Sequence, residues 1–335
     1  MSIRVTEVDP TVDADFSRYY DAFVAAATDG RTDPTLWTAQ EARVSLSTST
    51  SSQRQWAYLA LEGDRVLGAG DLTIPLSDNT NLLEFDFAVL PEQRRRGVGT
   101  AMFGYVRQVA EANGRTLVGT ELNVTTGLEG QAPGAAFLAR QGLTLRHTEF
   151  RNQQRLPLSA QRLDELAAKA AQKSDGYRIL SWTDDCPQQY AEQYVRLLGL
   201  LLTEAPTGEL EYEQESWSVQ RLREDEALRK EQERITYTTV AVAPNGELAG
   251  HTQLIVPTHD AGRAYQDDTL VLAAHRGHRL GLACKVANLR IVQAEHPNVT
   301  RVDTWNDNEN EPMMAVNRDL GYRAIEVCQE WQGQL

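Results

Sequence analysis

Cysteine is scarce: the chain of 335 residues has three, Cys186, Cys284 and Cys328, widely spaced and odd in number. That excludes a disulfide framework and a C-x-x-C zinc pattern, and it points to a reducing, cytoplasmic setting. Long apolar runs are missing too; none approaches the roughly 20 residues that a spanning helix needs. The opening MSIRVTEVDPTVD sets no apolar core behind a basic segment, so neither secretion nor membrane insertion is expected. Positive charge is in deficit, with 33 Lys and Arg against 47 Asp and Glu and a formal net charge of −14. Such a balance disfavours sequence-independent nucleic-acid binding and weakly favours cationic small molecules, although solubility alone accounts for it. The histidines are isolated, and His275 with His278 lacks the spacing of H-E-x-x-H, so no metal site is read. No tract is of low complexity, and 41% apolar and 24% charged residues describe an ordinary globular protein.

The length exceeds what one hydrophobic core usually organises, and the chain repeats itself. At an offset of 182 residues Gly68 meets Gly250, Leu72 meets Leu254, Pro75 meets Pro257, Asp86 meets Asp268, Val89 meets Val271, Arg94 meets Arg276 and Gly99 meets Gly281. Two copies of one α+β domain are therefore expected, residues 1–154 and 177–335. The segment 155–176 between them reads as a joint, partly helical because Leu163, Leu166 and Ala170 recur at helical spacing. In each copy a hairpin turns at a glycine (Gly63-Asp64, Asn245-Gly246) and a further strand runs into a loop and an apolar-striped helix. Cys284 falls on that stripe and reads as core. The segment 220–234 alternates in charge and reads as a solvated helix, and Trp217 and Trp305 read as packing residues.

The loop of the first copy, RRRGVG at residues 94–99, concentrates positive charge at the start of a helix. Helix N-termini offer unpaired N–H groups and the positive end of the dipole, and glycine lets an anion approach the backbone. The spacing matches neither G-x-x-x-x-G-K-[ST] nor G-x-G-x-x-G, and the hairpin-connected strands exclude a Rossmann unit.

Together with Val89, Leu90, Pro91 and Glu92 ahead of it, this loop resembles the [Q/R]-x-x-G-x-[G/A] signature of the GNAT superfamily of acyl-CoA-dependent N-acyltransferases. With both copies included, the chain resembles the tandem GNAT proteins of actinomycetes, a group in which mycothiol synthase is also found. The resemblance implies two GNAT-like domains, each a mixed, mostly antiparallel central sheet flanked by helices. It implies acetyl-CoA as co-substrate, its pyrophosphate held by Arg94, Arg95, Arg96, Gly97, Val98, Gly99 and Thr100, and a backbone N–H near Val89 or Val271 polarising the thioester. The second loop keeps Arg276, Gly277 and Gly281 but has Arg279 where the first glycine belongs; it still binds pyrophosphate if the φ of Arg279 is negative, or it has lost binding. Asn310 stands at an asparagine of the family pattern where the first copy has Gln131.

For a general base the central strand offers Glu84 and Asp86 on one face, and Asp268 in the second copy. The family's usual acid, a tyrosine, is replaced by Leu138 and Asn317, and Thr304, Asn306, Asn310 and Asn317 form a polar set that either lines a cleft or caps local turns. The expected activity is transfer of an acetyl group from acetyl-CoA to a primary amine of a small molecule. Binding of acyl-CoA without turnover is the alternative, or one working copy beside a structural one.

Overall fold

The alternating segment QRQWAYLALE and its partner RVLGAGDLTIP form the expected hairpin, β2 (Gln53–Glu62) against β3 (Arg65–Pro75), with Gly63 at a φ of 60° in the turn. The computed structural model describes residues 2–201, 208–307 and 309–335, the side chain of Gln131 apart. These fall into two units, one of residues 1–148, 208–213 and 327–335, the other of 149–207 and 214–326.

In the first unit β1 (Arg4–Glu7), β2, β3 and β4 (Leu82–Val89) pair antiparallel in that order, and β4 then pairs parallel with β5 (Leu117–Thr125). Alternation sends Tyr58, Leu72 and Phe85 to one face, under Met102, Phe103 and Val106 of α3 (Val98–Ala112). Ala57, Leu59 and Ala69 go to the other, under Phe16 and Tyr19 of α1 (Asp13–Ala27). The neighbouring α2 (Ala39–Ser47) opens with a capping box: the Glu41 N–H donates to the Thr38 hydroxyl at 3.3 Å, and the Thr38 N–H donates to the Glu41 carboxylate at 2.7 Å. Thr38→Ala should cost about 1 kcal/mol of stability, read by denaturant unfolding. A short helix, α4 (Pro133–Arg140), precedes β6 (Thr144–Arg155).

The second unit repeats the plan. β7 (Arg178–Thr183), β8 (Arg234–Val242), β9 (Leu248–Pro257) and β10 (Arg263–Val271) pair antiparallel, and β10 pairs parallel with β11 (Arg301–Asn306). Around them lie α5 (Ala160–Ala171), α6 (Gln188–Leu198), α7 (Val219–Glu231), α8 (Leu280–Glu295) and α9 (Glu311–Leu320). The last strand is β12 (Arg323–Gln334). No helix among the described residues is long and apolar enough to cross a membrane.

The division of the chain differs from the expected 1–154, 155–176 and 177–335. Residues 150–155 of β6 pair with β11, from Phe150 opposite Asn306 to Arg155 opposite Arg301, and belong to the second unit. The expected joint is a packed element: Leu163, Leu166 and Ala170 of α5 are buried in the core that holds Val286 and Leu289 of α8. An apolar stripe of that width needs a partner surface, and α8 supplies it. Residues 208–213 and 327–335, assigned from sequence to the second domain, belong to the first unit.

Candidate active site

In the first unit β4 and β5 stay paired only from Leu82–Leu117 to Glu84–Gly119. Beyond that point both strands continue, β4 to Val89 and β5 to Thr125, without a shared ladder. The sheet is thus split between Phe85–Val89 and the second half of β5, and a split strand pair exposes backbone N–H and C=O groups to whatever enters. On the α1 face of the split, Asp86 stands directly opposite Asp71 of β3. Solvent reaches Asp86, yet protein surrounds it closely enough that burial, with the charges of Asp71 and Glu121 next, pushes its carboxyl up to about 7. Asp71 is raised to about 6 by burial, against the hydrogen bond it accepts from the Tyr19 hydroxyl at 2.9 Å. Glu121, on β5 across the split, is raised by burial as well. Two carboxyls this near titrate as a pair. Of the expected bases, Asp86 stands in this cluster; Glu84 lies on the same face at the last pairing with β5, opposite Gly119. Sequence reasoning missed Asp71, Glu121 and Tyr19. It also missed Tyr212, whose hydroxyl is raised by burial and then by Glu84, Glu330 and Glu121.

The loop lies at the end of the same strand. Gly97 takes the left-handed conformation, φ 84° and ψ 0°, and opens α3, so the amides of Val98, Gly99 and Thr100 start the helix without intrahelical acceptors. A Cβ on Gly99 would stand 3.3 Å from the Phe137 ring. The three arginines divide the work. Arg94 is held inside the unit, its Nε donating to the Val89 carbonyl at 3.1 Å and its Nη1 paired with Asp29 at 2.7 Å. Arg96 donates to Gln93 and lies 3.8 Å from Glu62. Arg95 is exposed and has no hydrogen-bond or ion-pair partner among the described residues. Its guanidinium is the one of the three available to an external anion, whereas Arg94 braces the loop against the strand.

The second loop is built alike and used differently. Arg276 Nε reaches the Val271 carbonyl at 3.3 Å, repeating the brace, and Gly277 has a φ of 82°. Arg279 has a positive φ, 54°, not the negative value under which binding was expected to survive; it takes up the left-handed helix start that glycine occupies in the first loop. Its side chain donates to the Lys169 carbonyl at 2.5 Å and to Gln172 at 3.0 Å, and His278 Nδ1 lies 2.9 Å from the Lys173 carbonyl. The last turn of α5 thereby engages this loop's side chains. Asn310 is likewise committed, since its side chain accepts from the Met313 N–H at 3.3 Å and caps α9. Asn317 accepts from Lys285 at 3.0 Å and donates to Asn306 at 2.6 Å. β10 leaves β11 after Tyr265 and Asp303, and its ladder with β9 shifts register between Gln266 and Thr269. Asp268 lies within that shift and lines a small recess that opens to solvent. Burial raises its carboxyl well above the usual range, with Asp267 adding and Arg229 opposing. The α7 segment expected to be solvated all round buries Leu222 and Glu226 and turns Arg229 toward this recess. Cys284 is core as expected, 1% exposed, with its thiol pushed up to about 12 by burial. Trp305 stacks on Tyr265, and Arg221 lies over the Trp217 ring.

A split parallel strand pair, a glycine loop opening the following helix and flanking helices on both faces define the GNAT acyltransferase fold. Residues 16–132 match the model of the acetyltransferase (GNAT) family. No curated protein matches the sequence. Among solved structures the chain is similar to a tandem GNAT protein from the clavulanic acid biosynthesis pathway, at 25% identity and a TM-score of 0.79, covering 99% of this chain and 98% of that one. It is also similar to a GCN5-related N-acetyltransferase from Sphaerobacter thermophilus (13% identity, TM-score 0.67, 99% and 95% covered). Saccharomyces cerevisiae N-myristoyltransferase with bound myristoyl-CoA shares the fold (13% identity, TM-score 0.58, 99% and 82% covered). The last two likenesses concern fold alone. The α+β tandem architecture expected from the repeat is therefore established.

Proposed function

We propose that the chain is an acyl-CoA-dependent N-acyltransferase that moves acetyl, or another short acyl group, from coenzyme A to a primary amine of a small molecule, and that the first unit performs the transfer. One observation carries the reading: Asp86, raised to about 7, faces the split that begins beyond Glu84, on the strand that leads into the Gly97–Gly99 helix start. The first-turn amides and Arg95 hold the pyrophosphate. Asp86, near-neutral in pKa, takes a proton from the attacking amine directly or through water. As the amine nitrogen bonds to the acyl carbon the C–S bond breaks. A thiolate whose conjugate acid has a pKa of about 8.5 leaves without an obligatory acid and takes its proton from solvent. That suits a unit in which Leu138, where the family has tyrosine, is buried in the core. The carboxyls of Asp71, Asp86 and Glu121 favour a cationic amine as acceptor.

Incubation with acetyl-CoA and a panel of polyamines, amino sugars and amino acids, followed by free thiol, tests the proposal. Acceptor-dependent thiol release supports it; saturable acetyl-CoA binding with no release across the panel supports binding without turnover instead. Gly99→Glu should displace Phe137 and set a carboxylate against the pyrophosphate, weakening acetyl-CoA at least tenfold by calorimetry (about 1.4 kcal/mol). Arg279→Ala in the second loop should leave the first-loop affinity unchanged.

A further inference from the structure

The recess of the second unit is unusual in what its lining leaves uncommitted. Its carboxylates are mostly spoken for: Glu226 accepts from the Cys186 N–H at 2.7 Å and pairs with Arg223 at 2.6 Å, Asp225 pairs with Arg229 at 2.9 Å, and Asp184 accepts from the Thr236 N–H at 3.0 Å. Asp268 has no hydrogen-bond partner among the described residues. On the donor side, Arg229 Nη1, Trp182 Nε1 and Thr236 Oγ1 are buried without a hydrogen-bond partner among the described residues, and all three residues line the recess. Thr236 is only 4% exposed, so its hydroxyl has no easy recourse to solvent. Buried donors without acceptors are rare in folded proteins and mark positions completed by something else. The apolar part of the wall is Trp182, Tyr194, Trp217, Leu198 and Leu222.

A simple anion would satisfy the donors but would face Asp184, Asp225 and Asp268 with one arginine between them. A simple cation would suit Asp268 but leave three donors orphaned. A group carrying an ammonium and a carboxylate on one carbon answers both demands. We propose that this recess binds the zwitterionic head of a free α-amino acid, its carboxylate toward Arg229, Trp182 and Thr236, its ammonium toward Asp268, and its side chain toward the open mouth. The first unit differs at the matching place: Gln253, which also lines the recess, corresponds at the 182-residue offset to Asp71, a second carboxylate opposite Asp86. The proposal goes beyond acyl transfer in the first unit and stands without it.

Trp182 and Trp217 report on the recess by intrinsic fluorescence. The full chain is titrated with each proteinogenic L-amino acid singly, and with acetate and methylammonium as one-ended controls. At least one amino acid should saturate in the millimolar range or below and bind at least tenfold tighter than either control. Arg229→Gln and Asp268→Asn should each weaken it at least tenfold; Trp182→Phe and Thr236→Val, which keep the packing, serve where those variants fail to fold by circular dichroism. Acetate or methylammonium binding as tightly as every amino acid overturns the proposal, as does the absence of saturation by any amino acid with the protein folded. Neither result bears on thiol release from acetyl-CoA, so the two readings fail separately.

Discussion

Asp86→Asn should leave acetyl-CoA binding within about twofold of the parent and lower kcat by about two to four orders of magnitude, the usual worth of a positioned general base. The parent's acidic limb should report the pair formed with Asp71, whose carboxyls are raised to about 6 and about 7, so kcat/KM falls as the pH drops through that range. Asp71→Asn should then act through Asp86. Removing the neighbouring charge eases ionisation of Asp86, and the limb moves to lower pH while kcat at pH 8 changes far less than in Asp86→Asn. The same shift has a consequence for stability. A carboxyl whose folded pKa exceeds its unfolded 3.8 destabilises the fold once ionised, so the cost grows as pH rises from about 4 to about 7 and is absent below. Asp86→Asn should therefore melt higher than the parent at pH 8 and with it near pH 4. A variant that loses activity while gaining thermal stability has not misfolded; one that loses both would remove Asp86 from the reaction and assign it to the framework.

Why that pair was invisible in the sequence, while the loop beside it was plain, follows from range. RRRGVG acts through its own backbone: a left-handed residue, a helix start and adjacent charge are all local, and Gly97 and Gly99 stand where they were expected. The hairpins at Gly63 and Gly246 were legible for the same reason. Asp71 becomes relevant only through the register that sets it opposite Asp86, and Glu121 only through the parallel pairing that stops at Gly119. Tyr212 comes from residues 208–213, which join the first unit although the surrounding sequence belongs to the second. Arg94 shows the converse. Its place in the motif suggested phosphate, but Asp29 and the Val89 carbonyl already hold it, which no pattern within the loop reveals. In α7 the alternating charges conceal a buried side, because Glu226 pairs with Arg223 and the Nε of Arg229 pairs with Asp225, which makes both tolerable inside although Arg229 Nη1 has no hydrogen-bond partner among the described residues.

The second large effect is expected at Lys285, and its sign is opposite to that of most core substitutions. The side chain is 1% exposed on α8; Nζ donates to Asn317 at 3.0 Å and has no carboxylate partner among the described residues. In the repeat the matching residue of the first unit is Phe103, also 1% exposed and part of the apolar core. Burial lowers the amine from 10.5 to about 7. A folded pKa below the unfolded one means that the unfolded chain binds the extra proton between those values. Stability therefore climbs with pH from about 7 to about 10.5, and below 7 the full penalty stands, about 5 kcal/mol. Lys285→Met keeps the unbranched stem and removes the charge, at the cost of leaving the Asn317 carbonyl oxygen unmatched, about 1–3 kcal/mol. The net gain should be about 2–4 kcal/mol at pH 6, read in urea, and it should shrink toward pH 10 as the parent amine becomes neutral in both states. A loss of stability at pH 6 would mean that the ammonium is solvated or paired in solution, and that the amide relay from Lys285 through Asn317 to Asn306 holds the fold together.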